Sequence, residues 1–335
     1  MDIFKDGVLV EIKVRFWTGA KILTAQDLGL EKDTISNVYL LGKKMLVPKE
    51  TIHKFRSIES KARFLVETNS FKFPISSARF VPKKKFLKIL QTLQEYQEAY
   101  NKLIDNLIVD YDKLRKEMLP IYEEAAKAAY NRQTKIGVHE FSIEGKENEE
   151  EEFVTNFLDR IKSYYPSTTS LRNRFSLTWN IFEIALPKMR KVSEDKIAKE
   201  NIAYDVYQKE AQEKIGSFIN EVVTNLREQV VTLCDKIATN MKSGKIVKGP
   251  TINSLKKFID DFSELNFVGD VSIEKQLLDL KNNFLEKHTS PEIIKSDDLQ
   301  LELKRKLNLI VKEAGNVSDI DEVTGQYRRK IQWVD

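Results

Sequence analysis

Glycine and proline are scarce, at 12 and 8 of 335 residues, a shortage that disfavours loop-rich β architecture and permits long uninterrupted helices. One cysteine, Cys234, excludes an internal disulfide, and the chain reads as cytoplasmic. The three histidines, His53, His139 and His288, lie far apart and lack the paired spacing of a zinc site, so they read as surface or boundary residues. No apolar run approaches the roughly 18 residues of a spanning helix, which excludes membrane insertion by helices. Met1 to Lys5 does not open a signal peptide, which needs a charged stretch followed by an apolar one. The Walker A pattern, Gly-x-Gly-x-x-Gly, Gly-x-Ser-x-Gly and His-Glu-x-x-His are all missing. The expectation is therefore a protein that is not an enzyme and carries no cofactor or metal.

An excess of charge of one sign is also lacking. Against 55 basic residues stand 51 acidic ones, for a net charge of +4, so the total does not mark a nucleic-acid binder. With 41% hydrophobic and 32% charged residues the chain is neither disordered nor membrane-embedded. Its length is ample for burying a core.

What is present is mostly helical periodicity. Phe86, Leu90, Leu93, Gln97, Tyr100, Ile104, Leu107, Tyr111, Leu114 and Met118 alternate at spacings of four and three, a heptad seam broken only by polar Gln97. The spacing predicts a helix from about 83 to Pro120, roughly 55 Å long, which Ala-rich residues extend to about 130. A second stripe, Tyr204, Tyr207, Ala211, Ile215, Phe218, Val222, Leu226, Val230, Leu233, Ile237 and Met241, predicts a helix over 193–241. Its mean spacing is nearer a straight rod than a strict heptad. Shorter helices are expected from Pro48 to about 66, over 153–161, and in the tail at 251–265, 272–288 and 297–313.

Three segments alternate with period two and predict strands: 8–17, 70–81 and 173–186. The expected fold is mainly α with a small antiparallel β-sheet (α+β). In it the two long helices pair as an antiparallel coiled-coil stalk on a sheet base spanning 1–245, and 246–335 form a helical C-terminal region.

Candidate contact residues are few. Lys83, Lys84 and Lys85 open the first long helix, Arg172 and Arg174 precede the last strand, and Arg328, Arg329 and Lys330 lie near the end. With Trp17 they could contact a partner or hold phosphates. A positive cluster at a helix start is opposed by the dipole, which makes its placement unexpected; even so, solvated cations are the stronger reading. Cys234 sits beside the second stripe as a packed apolar group. The acid pairs Asp260-Asp261 and Asp297-Asp298 read as solvated faces or helix starts, since adjacent helical residues do not face each other.

Two stretches carry a resemblance. Phe16-Trp17-Thr18-Gly19-Ala20-Lys21 is followed by Ala25-Gln26-Asp27-Leu28-Gly29-Leu30, and Leu171-Arg172-Asn173-Arg174-Phe175 runs on to Pro187. The sequence resembles, over residues 1 to about 240, a phage and bacterial family of unknown function with Trp-Ser/Thr-Gly-Arg and Asp-Leu-Gly motifs. Ala20 stands here where that family often has arginine. The resemblance implies genes beside MoxR-type AAA+ ATPases and von Willebrand A proteins. It therefore implies an accessory or adaptor protein of such a system, encoded by a phage or mobile element. Two other functions fit the residues: a nucleic-acid-binding protein using the basic clusters, and a self-assembling structural protein pairing its seams between chains.

Overall fold

The computed structural model describes residues 5–30, 41–74, 77–135, 146–183, 194–243, 247–316, 320 and 322–325. The chain is mainly α with a small antiparallel sheet. In order, the strands are β1 (Gly7–Arg15), β2 (Ala20–Ile22), β3 (Lys43–Met45), β4 (Phe71–Lys72), β5 (Arg79–Pro82) and β6 (Ser176–Phe182). The helices are α1 (Lys49–Thr68), α2 (Lys83–Lys135), α3 (Lys146–Ser163), α4 (Thr168–Arg172), α5 (Glu194–Lys242), α6 (Gly249–Leu265), α7 (Val271–Leu280), α8 (Ser290–Lys295) and α9 (Asp297–Ala314). The three period-two segments do enter one sheet, in the order β4-β5-β1-β6. A separate pair, β2 with β3, has too few residues to show alternation.

Pro120 does not end the first long helix, which runs on to Lys135. A proline inside a helix costs about 3 kcal/mol. Tyr122, Ala126, Ala129 and Tyr130 are buried just beyond it, and their packing offsets that cost. Ser167 is the N-cap of the short α4, its hydroxyl accepting from the Ser170 amide. The tail helix expected over 272–288 is α7 followed by a π turn, Lys281–Leu285. The short α8, not foreseen, opens on Thr289 with a capping box to Glu292.

The chain folds into two compact units. The first comprises Met1–Glu11, Leu65–Leu90 and Asn180–Asp335, and the second Ile12–Phe64 and Gln91–Trp179. The division runs through β1, α1, α2 and β6.

In the first unit the apolar stripe of α5 packs in one core with the tail helices, α9 lying directly along α5. Ile215, Phe218, Val222, Leu226, Val230 and Ile237 are buried beside Ile259, Leu277, Leu303 and Ile310. The β4–β5 hairpin closes this core with rings: Phe80 lies 5.5 Å from Phe218 and 4.8 Å from Phe267, and Phe73 lies 5.1 Å from Phe218.

The seam of α2 beyond Leu90 is lined by other parts of the second unit. Tyr100 meets Phe55, Tyr111 meets Trp17 and Tyr165, and Gln97 Nε2 donates to the Leu177 carbonyl at 2.8 Å. Heptad spacing marks which face is covered, but not what covers it. The described partners of both stripes are therefore short helices, strands and loops.

A buried ion pair lies inside the first core. Arg227 on α5 is 1% exposed and grips Asp270, also 1% exposed, with Nε at 2.6 Å and Nη2 at 3.0 Å. Asp270 is at the same time the N-cap of α7, accepting from the Ile273 amide. Arg227 Nη1 donates to the carbonyls of Glu313 (3.2 Å) and Asn316 (3.4 Å), where α9 ends. A carboxylate thus sits at a helix start and a cation at a helix end, both favoured by the dipole. Cys234 is also buried here, and burial pushes its thiol up to about 12.

Removing one partner of a fully buried ion pair leaves an uncompensated charge. Arg227→Met is expected to lower unfolding free energy by about 3–5 kcal/mol. The double variant Arg227→Met/Asp270→Leu should recover part of that loss, as read by urea titration. Native protein should react with a thiol reagent at pH 8 only as fast as it opens, since Cys234 is both covered and protonated.

Candidate functional site

The second unit is organised around one aspartate. Thr24 caps a 3-10 turn, Ala25–Leu28, and forms a capping box with Asp27 inside it: the Asp27 carboxylate accepts from the Thr24 amide (2.8 Å) and hydroxyl (2.7 Å). Lys44 on β3 reaches the same oxygen at 2.6 Å, and Arg160 Nη2 on α3 reaches the other at 3.1 Å. Asp27 is buried, as is Lys44. Burial pushes the carboxyl up, but the hydrogen bonds from Lys44 and Thr24 outweigh it and hold Asp27 below the usual carboxylate range.

Two glycines let the chain pass close to its neighbours. Gly29 has φ +72°, and a Cβ there would stand 2.2 Å from the carbonyl oxygen of Ala129 on α2. Gly19 has φ +60°, and its Cβ would press on Val47 and Ile52. Both positions need the left-handed region without a side chain. Trp17, two residues before Gly19, is buried edge-on to Tyr111 at 6.1 Å.

Tyrosine hydroxyls donate to carbonyls at the ends of β1 and β3 and in adjoining loops. Tyr100 donates to Arg15 (2.8 Å), Tyr111 to Pro166 (2.9 Å), Tyr122 to Met45 (2.5 Å) and Tyr165 to Leu46 (2.7 Å). Burial pushes the hydroxyls of Tyr111 and Tyr122 up to about 12 and those of Tyr100 and Tyr165 likewise up, so all four stay protonated donors at neutral pH.

Beside Arg160 opens a cleft of about 300 Å³, lined by Gln26, Gln133, Phe153, Asn156, Phe157 and Arg160. It lies at the small end of ligand-sized pockets, which begin at about 300 Å³. Its chemistry is an apolar floor of two phenylalanines, three side-chain amides and one guanidinium. Position along the chain pointed to none of its polar residues. The one available signal was Thr24 with an acid three residues later, the spacing of a capping box.

The residues singled out from sequence are dispersed. In the first unit Lys83 is exposed, and Lys84 donates to the Ser263 carbonyl at 3.2 Å. Lys85 is 1% exposed, bonded to Asp261 and, at 2.7 Å, to Glu264. Two acids within one helical turn of α6 neutralise it, which allows its burial. In the second unit Arg172 is exposed and paired with Asp105 at 2.8 Å, Arg174 is exposed, and Trp17 is core. Arg328, Arg329 and Lys330 lie outside the described residues, as does His139. Asp297 and Asp298 do occupy the first turn of α9. Among the described residues no three metal-ligating side chains converge, and no helix is long and apolar enough to cross a membrane.

These features define a mainly α protein whose small sheets and loops are pinned to long helices by buried polar clasps. The chain belongs to a family described as protein of unknown function (DUF3150), which matches residues 4–300. No curated protein and no solved structure matches it.

Because the Asp27 carboxyl titrates below its unfolded value of about 3.9, its contribution is complete above that pH and disappears as pH falls through the folded value. Asp27→Asn should therefore be less stable than wild type at pH 7. The gap should close on acidification from about pH 5 to pH 2, as measured by denaturant titration at each pH. An undiminished gap at pH 2 would contradict the assignment.

Proposed function

We propose that this protein is a non-enzymatic interaction protein that docks on a MoxR-type AAA+ ATPase working with a von Willebrand A protein, in a system carried by a phage or mobile element. The partner supplies the energy and this chain supplies binding faces on long helices. The observation that carries the reading is the outer face of α9. Leu301 and Leu309 stand 66% and 55% exposed two turns apart, while the opposite face of the same helix is core. Two leucines at this spacing are the kind of anchors an amphipathic helix lays into a partner groove. Arg305 and Lys312 between and beyond them are exposed and would give a polar rim. The class of partner comes from the family resemblance.

Nucleic-acid binding has weaker support. Of the cations that motivated it, Lys85 is buried against two acids and Arg172 is paired.

Tagged protein recovered from its native host should bring the ATPase with it. The double variant Leu301→Asp/Leu309→Asp, which touches only exposed positions, should keep its melting temperature and lose at least about nine-tenths of the bound ATPase, a tenfold loss being about 1.4 kcal/mol. Recovery of nucleic acid alone, with a salt-steep shift of labelled DNA, would replace this reading with the second.

A further inference from the structure

The cleft beside Arg160 has a charge balance that the fold does not explain. Asp27 is the one carboxylate in the cluster, and two cations share it, Lys44 and Arg160. One positive charge is left over. It belongs in effect to Arg160, because Lys44 is buried whereas the Arg160 side chain is 34% exposed. Only Arg160 Nη2 is engaged, by Asp27. Among the described residues Nη1 has no partner, and Nε is buried with none. The guanidinium is held 5.0 Å over the Phe157 ring, which fixes its plane at the cleft wall.

The other walls have matching chemistry. Phe157 is buried and Phe153 half-buried, forming an apolar floor. The side-chain amides of Gln26, Gln133 and Asn156 line the opening, and none has a side-chain hydrogen-bond partner among the described residues. An apolar pocket with a few convergent polar groups and one unspent cation is the form of a small-ligand site.

We propose that this cleft binds a carboxylate carried on an apolar or aromatic stem. The carboxylate takes the free edge of Arg160, the stem lies on Phe153 and Phe157, and the amides bond the polar atoms that follow. A single residual charge balances a monoanion, so a phosphate dianion is the poorer fit. The volume of about 300 Å³ suits a group the size of one amino-acid residue. Such a carboxylate has two natural sources, a free organic acid and the C-terminus of a polypeptide. The inference does not rest on docking to an ATPase, since it concerns the purified chain and a different surface.

The test uses full-length protein and follows the side-chain amide signals of glutamine and asparagine by NMR, with affinities from calorimetry. N-acetyl-phenylalanine should bind and shift those signals. N-acetyl-phenylalaninamide, which differs by the charge, should bind at least about tenfold more weakly, the loss of one charge-assisted hydrogen bond. Inorganic phosphate should bind more weakly than the acid. Asn156→Glu changes an exposed helical residue and places a like charge in the cleft, so it should abolish binding while leaving the melting temperature unchanged. Arg160→Gln should also abolish binding, here with a lower melting temperature because Asp27 loses a partner. Equal binding of acid and amide would overturn the proposal. So would tighter binding of phosphate, undiminished binding by Asn156→Glu, or no binding of the acid at about 20 mM, far above a useful Kd. The peptide Ala-Ala-Phe with a free carboxylate separates the sources. Binding tighter than N-acetyl-phenylalanine supports a polypeptide terminus, and equal binding supports a free acid.

Discussion

A guanidinium with almost no contact with water must have every donor and its charge answered from within the protein, or the core around it will not close. Arg227 imposes that demand on the first unit. Its fork is met by the Asp270 carboxylate and its remaining nitrogen by carbonyls at the end of α9. The arrangement therefore fixes three elements at once: the rotation of α5, the start of α7 and the stop of α9. Asn266 extends it by accepting from the Asp270 amide and donating to Glu274, which holds the loop before α7. Apolar contacts along α5 and α9 would tolerate some sliding of one helix on the other. A bidentate pair at a helix cap does not, so the register of the core follows from a polar contact.

The second unit uses a different solution to a similar demand. Its strand ends and loops run beside a long helix, and their carbonyls take hydrogen bonds from side chains. Tyrosines on α2, together with Tyr165, present rings to the core and hydroxyls to those carbonyls. Phenylalanine would fill the same space and leave buried acceptors unmet. Asp27 plays the part that Arg227 plays in the first unit, as one ion drawing together a turn, a strand and a helix. Two short stretches, Trp17-Thr18-Gly19 and Asp27-Leu28-Gly29, supply the core tryptophan, the central anion and the two left-handed glycines. They are fold-forming residues.

Which parts were legible in the sequence follows from what each depends on. The helices α2 and α5 and the strands β1 and β6 were readable because their apolar residues recur along the sequence at the period of the backbone, whereas in β5 Phe80, Val81 and Pro82 are buried in succession. The three-residue strands β2 and β3 have no period to read, and α8 is set by its cap. Partners were not readable: the seam through Tyr100 and Tyr111 looked like half of a coiled coil, and its described neighbours are Phe55, Trp17 and Tyr165. Lys85 looked like a free cation because Asp261 and Glu264 lie 176 and 179 positions further on. The cleft was invisible for the same reason. Gln26, Gln133 and Asn156 are ordinary polar residues until three segments bring them together.

The interleaving of the two units along the chain bears on synthesis. The last residue of the second unit is Trp179, so all of its partners are present once that position has cleared the ribosome. The first unit needs Met1–Glu11 and Leu65–Leu90 to wait for α5 and then for α9, whose residues close the core begun by Phe71, Phe73 and Phe80. At about 5–20 residues per second, the hairpin phenylalanines spend on the order of ten seconds exposed before their cover arrives. During that interval the nascent chain is a half-folded protein with an open aromatic surface. Chaperone demand and premature truncation should weigh most heavily on that stretch of translation.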